Sequence, residues 1–268
     1  METTGTTPQH TRMAEALSAG DRSVRLRAAL ALGSNPDPAL LDTLVERCAA
    51  EPDFFVRDML AWALIRLPAK TALPRIRREL GAERPQARSQ ALHLLSKFGD
   101  ADTWPWITRD LLHDANDQVA RTAWRVAAAL APEDGEERRR LAGELVRQLG
   151  RGGRDVRLSL SRALVELGEA AAPLLAEAAE SPDPEAAAHA RATERLRQDP
   201  DSGFDAALAE AERVVLLGPE RAASAAAAAA SVDAGAPEAA GPAAGADTAD
   251  PAEVDPAGAA PAPEAREC

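Results

Sequence analysis

The sequence predicts an all-α fold built from stacked helical hairpins, and three observations lead to this prediction. An amphipathic helical pattern occurs six times, with its first apolar residue at Val24, Val56, Ala87, Val119, Val156 and Ala187. Successive copies are 31 or 32 residues apart, except for a longer step after Val119. The chain has no Tyr, only four Phe and four Trp, and abundant Ala, a composition that favours closely packed helices. Helical units at this period predict an α-solenoid.

The clearest copy of the pattern runs from Asp155 to Gly168. Counted from Val156, its apolar residues fall at positions four, seven, eight and eleven, which lie on one face of a helix. Asp155 can cap the start of this helix, and Gly168 can end it. We therefore expect an amphipathic helix of about four turns here.

Charged residues recur at the start of the repeated helices. An arginine follows the first apolar residue in four copies, at Arg25, Arg57, Arg88 and Arg157. Residues suited to helix caps precede four copies, at Asp21, Asp53, Asn116 or Asp117, and Asp155. This arrangement predicts side-chain ladders between neighbouring repeats.

Shorter apolar segments alternate with the repeated helices and complete the hairpins. They span 39–49, 71–80, 103–112, 136–149 and 172–180. In the third segment Thr103 is a possible cap and Pro105 lies in the first turn, while Trp104 and Trp106 are expected to fill the core. The surplus residues after Val119 include Gly150 to Arg154, which is either a flexible connector or a phosphate cradle formed by backbone N–H groups and two arginines.

The chain divides into three parts by composition. Residues 1–10 are polar and expected to be flexible, and residues 11–217 hold the repeats. The repeats end in a capping helix predicted at 204–217, which has one apolar side. Residues 218–268 are dominated by Ala, Pro, Gly and acidic residues, so we expect a disordered tail.

Charge and cysteine content restrict the function classes. The formal net charge is −12, which disfavours a partner with a phosphate backbone because such binders usually carry a basic stripe. Cys48 and Cys268 do not form a disulfide framework. The sequence has no recognisable leader, membrane span or metal-binding spacing of His and Cys. We expect a cytoplasmic protein without a cofactor.

The repeated motif resembles the short HEAT-like repeats named after phycobilisome (PBS) lyases. The resemblance rests on Asp21-Arg22-Ser23-Val24-Arg25 with Leu32-Gly33, and on the copy from Asp155 to Gly168. The segments Glu51 to Arg57 and Ser89 to His93 are also similar to stand-alone HEAT-repeat proteins of high-GC bacteria. The resemblance covers 12–217 and implies a right-handed superhelix whose second helices line a concave groove.

Candidate binding residues follow from this implied groove. The core takes positions four, seven, eight and eleven after each first apolar residue, which leaves positions two, five and six for the groove. The candidates at these positions are Asp58, Trp62, His93, Arg121, Trp124, Arg125 and Arg162. Trp and Arg are frequent hot-spot residues, although both tryptophans could instead fill gaps between Ala-rich helices. The adjacent Phe54 and Phe55 could contact a ligand, but we expect them to pack under their loop.

These features favour a monomeric, non-enzymatic adaptor that binds another protein or peptide in the groove. The resemblance also implies two alternatives, a bilin lyase-like enzyme and a DNA glycosylase-like nucleic-acid binder. The first needs a tetrapyrrole pocket, for which the sequence gives no clear signal. The second needs a basic groove that presents Trp and Asp together, for which Asp58, Trp62, Arg121, Trp124 and Arg125 are candidates, but the net charge argues against it.

Overall fold

A computed structural model describes residues 8–200, 203–218 and 221 of the chain. The described residues form α-helices and short 3₁₀ turns and contain no β-strand. In chain order the α-helices are α1 (Pro8–Leu17), α2 (Arg22–Ser34), α3 (Leu41–Ala50), α4 (Phe54–Ile65), α5 (Ala69–Glu79), α6 (Pro85–Phe98), α7 (Arg109–Leu112), α8 (Asp117–Leu130), α9 (Gly135–Val146), α10 (Arg154–Glu166), α11 (Ala172–Ala178), α12 (Pro184–Gln198) and α13 (Phe204–Leu217). The all-helical prediction is therefore confirmed for this part of the chain.

Helices pair in the order in which they occur along the chain. Each odd-numbered helix from α1 to α11 contacts the even-numbered helix that follows it. Each even-numbered helix from α2 to α10 also contacts the next even-numbered helix, and α12 contacts α13. We call the even-numbered helices α2 to α12 the second helices. One continuous apolar core runs from Leu17 to Ala190, and a smaller cluster joins α12 to α13.

Side-chain caps start several second helices where the sequence predicts them. Asp21 and Asp53 accept hydrogen bonds from the first-turn N–H groups of α2 and α4, and Asn116 does so for α8. The prediction for Asp155 is wrong, because α10 begins one residue earlier and Gly153 occupies its cap position. Asp155 lies in the first turn, where a carboxylate still favours the positive end of the helix dipole.

The third short helix differs from its prediction. Residues 101–106 form a 3₁₀ turn capped by Asp100, and the α-helix is confined to Arg109–Leu112. Thr103 does not cap, since its hydroxyl donates to the carbonyl oxygen of Asp100 at 2.7 Å. Ile107 then leaves the helical conformation, which separates the two turns. Trp104 and Trp106 pack against the core as expected.

The ends of the chain give mixed outcomes. Helix α1 begins at Pro8, within the segment 1–10 that we expected to be flexible, and residues 1–7 lie outside the described part. Helix α13 spans the predicted residues 204–217. Apart from Gly218 and Arg221, the tail predicted as disordered, 218–268, lies outside the described residues. None of the described helices is both long and apolar enough to cross a membrane.

Three of the four early arginines pair with a carboxylate of the next repeat, but these partners are not the predicted caps. The fourth, Arg57, donates only to carbonyl oxygens of the loop before its own helix. Arg88 donates to the carbonyl oxygens of Ala82 and Glu83 in the loop before its own helix. The same guanidinium forms two hydrogen bonds with Asp114 in the loop before the next second helix, at 2.7 and 3.0 Å. Asp114 lies two residues before the cap Asn116, and its carboxylate accepts a hydrogen bond from the backbone N–H group of Asn116. The carboxylate of the ladder is therefore beside the cap and not the cap itself.

Candidate functional site

Three successive second helices share a groove that runs across α4, α6 and α8. Its volume is about 640 Å³. It is lined by residues from the first nine positions of these helices and by the cap of α8: Phe54, Arg57, Asp58, Ala61, Pro85, Gln86, Ser89, Gln90, His93, Asn116, Gln118, Thr122 and Arg125. Most of these residues are polar, and the exposed Phe54 is the largest apolar side chain among them.

The groove brings together three of the seven candidate residues. Asp58, His93 and Arg125 line it, each from a different helix. Arg162 lies on α10, outside the lining, and is exposed. Trp62, Arg121 and Trp124 are absent from the lining as well.

Apart from Ala61, which forms part of the groove wall, position five of the repeat does not line the groove, contrary to the prediction. Ala61, Leu92, Trp124 and Ser161 occupy this position, and all four are buried. On the circumference of a helix, position five lies between the core position eight and the open position two. Because each second helix packs against the next one, this flank is covered. On these four helices, the side chains at position six and, except for the buried Ser89, at position two remain at least partly exposed.

Trp124 is a core residue and not a groove anchor. Its side chain is fully buried, and its indole Nε1–H donates to the carbonyl oxygen of Leu112 at 2.8 Å. The Arg151 guanidinium lies 5.8 Å from the ring centroid. A partner cannot reach this ring, so the alternative interpretation, packing between helices, describes Trp124.

Trp62 also packs between helices, although part of its ring remains exposed. The ring lies against Gly33 on α2, so closely that a Cβ atom at Gly33 would overlap it. The close approach of α2 and α4 therefore depends on the absence of a side chain at Gly33. The structure gives Trp62 a packing role between neighbouring second helices.

The adjacent phenylalanines are exposed, which corrects the expectation that they pack under their loop. Phe54 and Phe55 are 68% and 62% exposed, respectively. They occupy the first two helical positions after the cap Asp53, while Val56 at the third position points into the core. Phe54 lines the groove and Phe55 does not. The sequence prediction for Phe54 rested on the general tendency of phenylalanine to be buried. The cap at Asp53 instead makes Phe54 the first residue of α4, where its side chain is exposed.

His93 lies in a positively charged part of the groove. The pKa of His93 is lowered, mainly by burial and also by the positive charges of Lys97 and Arg125. The negative charge of Asp58 has a smaller effect in the opposite direction. The imidazole is therefore neutral at pH 7 and can both donate and accept a hydrogen bond. These charge interactions also place Lys97 and Arg125 close to His93.

The cations of this region have no carboxylate partner among the described residues. Arg125 and Arg162 are exposed, and neither forms an ion pair. Arg121 is half-buried, and its Nε atom has no hydrogen-bond partner in the described structure. A buried N–H group without an acceptor is unfavourable, so this side chain would gain from an acceptor supplied by a ligand.

Hydrogen-bonded hydroxyl groups connect neighbouring second helices beneath the surface. Ser89 and Thr122, both buried, are 3.3 Å apart between their oxygen atoms, and Thr122 donates to the carbonyl oxygen of Gln118. Further along the chain, Ser161 contacts Thr193 at 2.7 Å and the Nε2 atom of His189 at 3.0 Å. These contacts satisfy polar groups inside an otherwise apolar interface.

The loop from Gly150 to Arg154 does not form a phosphate cradle. Arg151 pairs with Asp117, and Arg154 forms two hydrogen bonds of 2.6 Å with Asp205. The N–H group of Gly150 donates to Nδ1 of His189 at 3.1 Å. The two arginine side chains and the N–H group of Gly150 are therefore already used within the chain, which favours the alternative interpretation of the segment as a connector.

Two kinds of chemistry find no site in this part of the chain. No cluster of three or more His, Cys, Asp or Glu residues is arranged to hold a metal ion in the described structure. The Cys48 thiol is buried, and burial raises its pKa to about 12, so it is protonated at neutral pH and a poor nucleophile.

Comparison with known proteins gives no family for this chain. Its sequence matches no protein-family model and no curated protein. The geometry of the groove and its charges therefore carry the functional argument.

Proposed function

We propose that this protein is a non-enzymatic adaptor of the HEAT-like repeat class, a right-handed α-solenoid that binds another protein in the groove across α4, α6 and α8. We place it in the cytoplasm as a monomer. The observation that carries the proposal is the groove itself, where Phe54, Asp58, His93 and Arg125 from three successive second helices share one opening.

The order of helix contacts supports a solenoid of stacked hairpins. In such a stack, each repeat contacts only its neighbours. The second helices follow this rule from α2 to α12. The ladder from Arg88 to Asp114, and the equivalent pair Arg25 and Glu51, span adjacent repeats in the same way. Occurrence of the same contact in two different pairs of adjacent repeats supports a common repeat geometry.

The character of the groove supports protein binding over catalysis. Most of its lining residues are polar, and they include the exposed Phe54 and the arginine Arg125, which forms no ion pair among the described residues. A mixture of an aromatic residue and arginines is typical of residues that dominate binding energies between proteins. The glycosylase-like alternative loses support, because Trp124 is buried and the ring of Trp62 is engaged in packing against Gly33.

The adjacent phenylalanines provide a matched test. The protein carrying Phe54→Ala is compared with the wild type and with Phe55→Ala for the proteins that it recovers from cell extract, quantified by mass spectrometry. Both substitutions remove an exposed ring from α4, but only Phe54 lines the groove. We expect Phe54→Ala to reduce recovery of specific partners at least fivefold and Phe55→Ala to leave it unchanged. Equal recovery by all three proteins would contradict the proposal.

A further inference from the structure

Resting on the proposed function, we infer that the partner of the groove is a linear acidic segment, with carboxylates that pair with Arg125 and Arg162 and a large apolar side chain that packs on Phe54. The inference depends on three features of the second helices: unpaired cations, a scarcity of acids on the same face, and the exposed ring at one end of the groove.

Cations recur on one face of four successive second helices, and all of them are exposed except the half-buried Arg121. They lie at positions two, six or ten of the repeat, which share a face because they are four residues apart. We call this set the basic face: Arg66, Lys97, Arg121, Arg125 and Arg162. None of these side chains forms an ion pair within the described residues, whereas Arg88 and Arg154 elsewhere in the chain pair with Asp114 and Asp205.

Acidic residues are scarce on this face although the chain is acidic. At positions two, six and ten of α4, α6, α8 and α10, the only carboxylates are Asp58 and Glu166. The formal net charge of the whole chain is −12. An acidic ligand is therefore attracted to the basic face and repelled by much of the remaining protein. Charge complementarity of this kind orients a partner and excludes wrong contacts.

The spacing of the helices sets the spacing of the acids in the ligand. Arg125 and Arg162 occupy position six on α8 and α10, two second helices that pack against each other. Axes of packed helices are about 8–10 Å apart, and an extended chain advances about 3.3 Å per residue. Two carboxylates about three residues apart in the partner therefore match the two guanidinium groups.

An acidic peptide fits this face better than a nucleic acid does. The carboxylate of Asp58 lies in the groove lining, and Phe54 offers an apolar contact at the helix N-terminal end. A duplex needs a basic surface free of acidic interruption over its contact length, and it would also meet the negative charge of the surrounding protein. A peptide can direct its carboxylates to the arginines and its apolar residue to Phe54.

The test is a selection from random twelve-residue peptides displayed on phage, with the full chain as bait. The parallel bait carries Arg125→Gln and Arg162→Gln. The matched control carries Arg78→Gln and Arg139→Gln, which remove the same charge from exposed, unpaired positions on α5 and α9. We expect the wild type and the control to select peptides with two acids about three residues apart and one large apolar residue. The double variant at the basic face should bind these peptides at least tenfold more weakly.

Each outcome separates this inference from the proposed function. Selected peptides without acidic residues would overturn the acidic-partner inference while leaving peptide binding intact. No enrichment with any bait would contradict both. If both double variants bound the peptides equally weakly, the loss would be due to overall charge. This result would overturn the role of Arg125 and Arg162. Displacement of the peptides by a twenty-base-pair DNA duplex at a lower concentration than by free peptide would identify the basic face as a nucleic-acid surface instead.

Discussion

Arg25 and Glu51 form a buried, two-point ion pair between the first and second repeats. The Nε and Nη2 atoms of Arg25 lie 2.9 and 2.8 Å from the two carboxylate oxygens of Glu51, which is fully buried. Glu51 also accepts hydrogen bonds from Arg47 and from the N–H group of Asp53. Burial alone would raise the pKa of Glu51, but the hydrogen bonds from Arg25, Arg47 and Asp53 hold it at about 2.

Removing Glu51 should strongly destabilise the fold. Glu51→Ala leaves the nearly buried Arg25 without its carboxylate, and breaking a buried pair costs about 3–5 kcal/mol of unfolding free energy. Asp42→Ala is the control, because Asp42 pairs with Arg75 but its side chain is 75% exposed, and such pairs contribute less than about 1 kcal/mol. Urea unfolding curves of the three proteins measure the difference. Similar losses for both variants would contradict this assignment.

Stability should fall as the pH drops from about 6.5 to about 4, and His189 is the main cause. Its ring is fully buried, and burial lowers its pKa from 6.5 to about 4. Between these values the unfolded chain binds a proton that the folded protein excludes, so acid favours unfolding. The loss is on the order of 3 kcal/mol by linkage. Urea midpoints across this range measure it.

The variant His189→Gln isolates that contribution. In this variant the unfolding free energy should fall less between pH 6.5 and 4. A smaller dependence on pH should remain because the pKa of His93 is also lowered. The unfolding free energy should still fall between about pH 4.5 and 2 in this variant. In that range the Glu51 carboxylate of the unfolded chain binds a proton, while that of the folded protein stays ionised until the pH approaches 2. An unchanged slope above pH 4 in His189→Gln would show that another group is responsible.

A methyl group at Gly33 should separate α2 from α4. Its Cβ atom would overlap the ring of Trp62, so Gly33→Ala should destabilise the protein by about 1–3 kcal/mol. Gly143→Ala on α9 is the matched control, since no atom lies within 4 Å of its added Cβ, and this change should be neutral or slightly stabilising. Trp62→Ala should remove most of the penalty of Gly33→Ala, and additive losses would rule out the contact as its cause.

The adjacent residues Trp124 and Arg125 should affect different properties, since Trp124 should contribute to stability and Arg125 to partner binding. Trp124→Ala empties a fully buried site and should lower the unfolding free energy by about 3–5 kcal/mol. Arg125 is exposed, so Arg125→Ala should change stability by less than about 0.5 kcal/mol and act on partner binding only. Thermal unfolding of both variants tests this division, and a stable Trp124→Ala would contradict the buried placement.

Helix periodicity alone predicted much of the fold. The positions of the second helices follow from the spacing of apolar residues within one segment, and Phe204–Leu217 was predicted with the bounds that the structure has. Asp58, His93 and Arg125 were predicted as neighbours because positions two and six repeat from helix to helix. These features depend on local geometry, which the sequence encodes directly.

Features that depend on a neighbouring helix could not be predicted from the sequence as well. Position five is buried by the next second helix, which no pattern within one helix reveals, so Trp124 was assigned to the wrong environment. The start of α10 depends on the backbone of Gly153 and not on the good capping residue Asp155. Phe54 follows a cap that directs it outward, whereas hydrophobicity alone suggested burial.

Hydroxyl-radical footprinting of the protein with and without its recovered partner tests the central claim most directly. It measures the solvent exposure of individual side chains by their rate of oxidation. The account predicts that the partner protects Phe54 and His93 in the groove, while Phe55 and Trp106 outside it are oxidised at unchanged rates. Protection of Trp106, or unchanged oxidation of Phe54, would contradict binding in the groove across α4, α6 and α8.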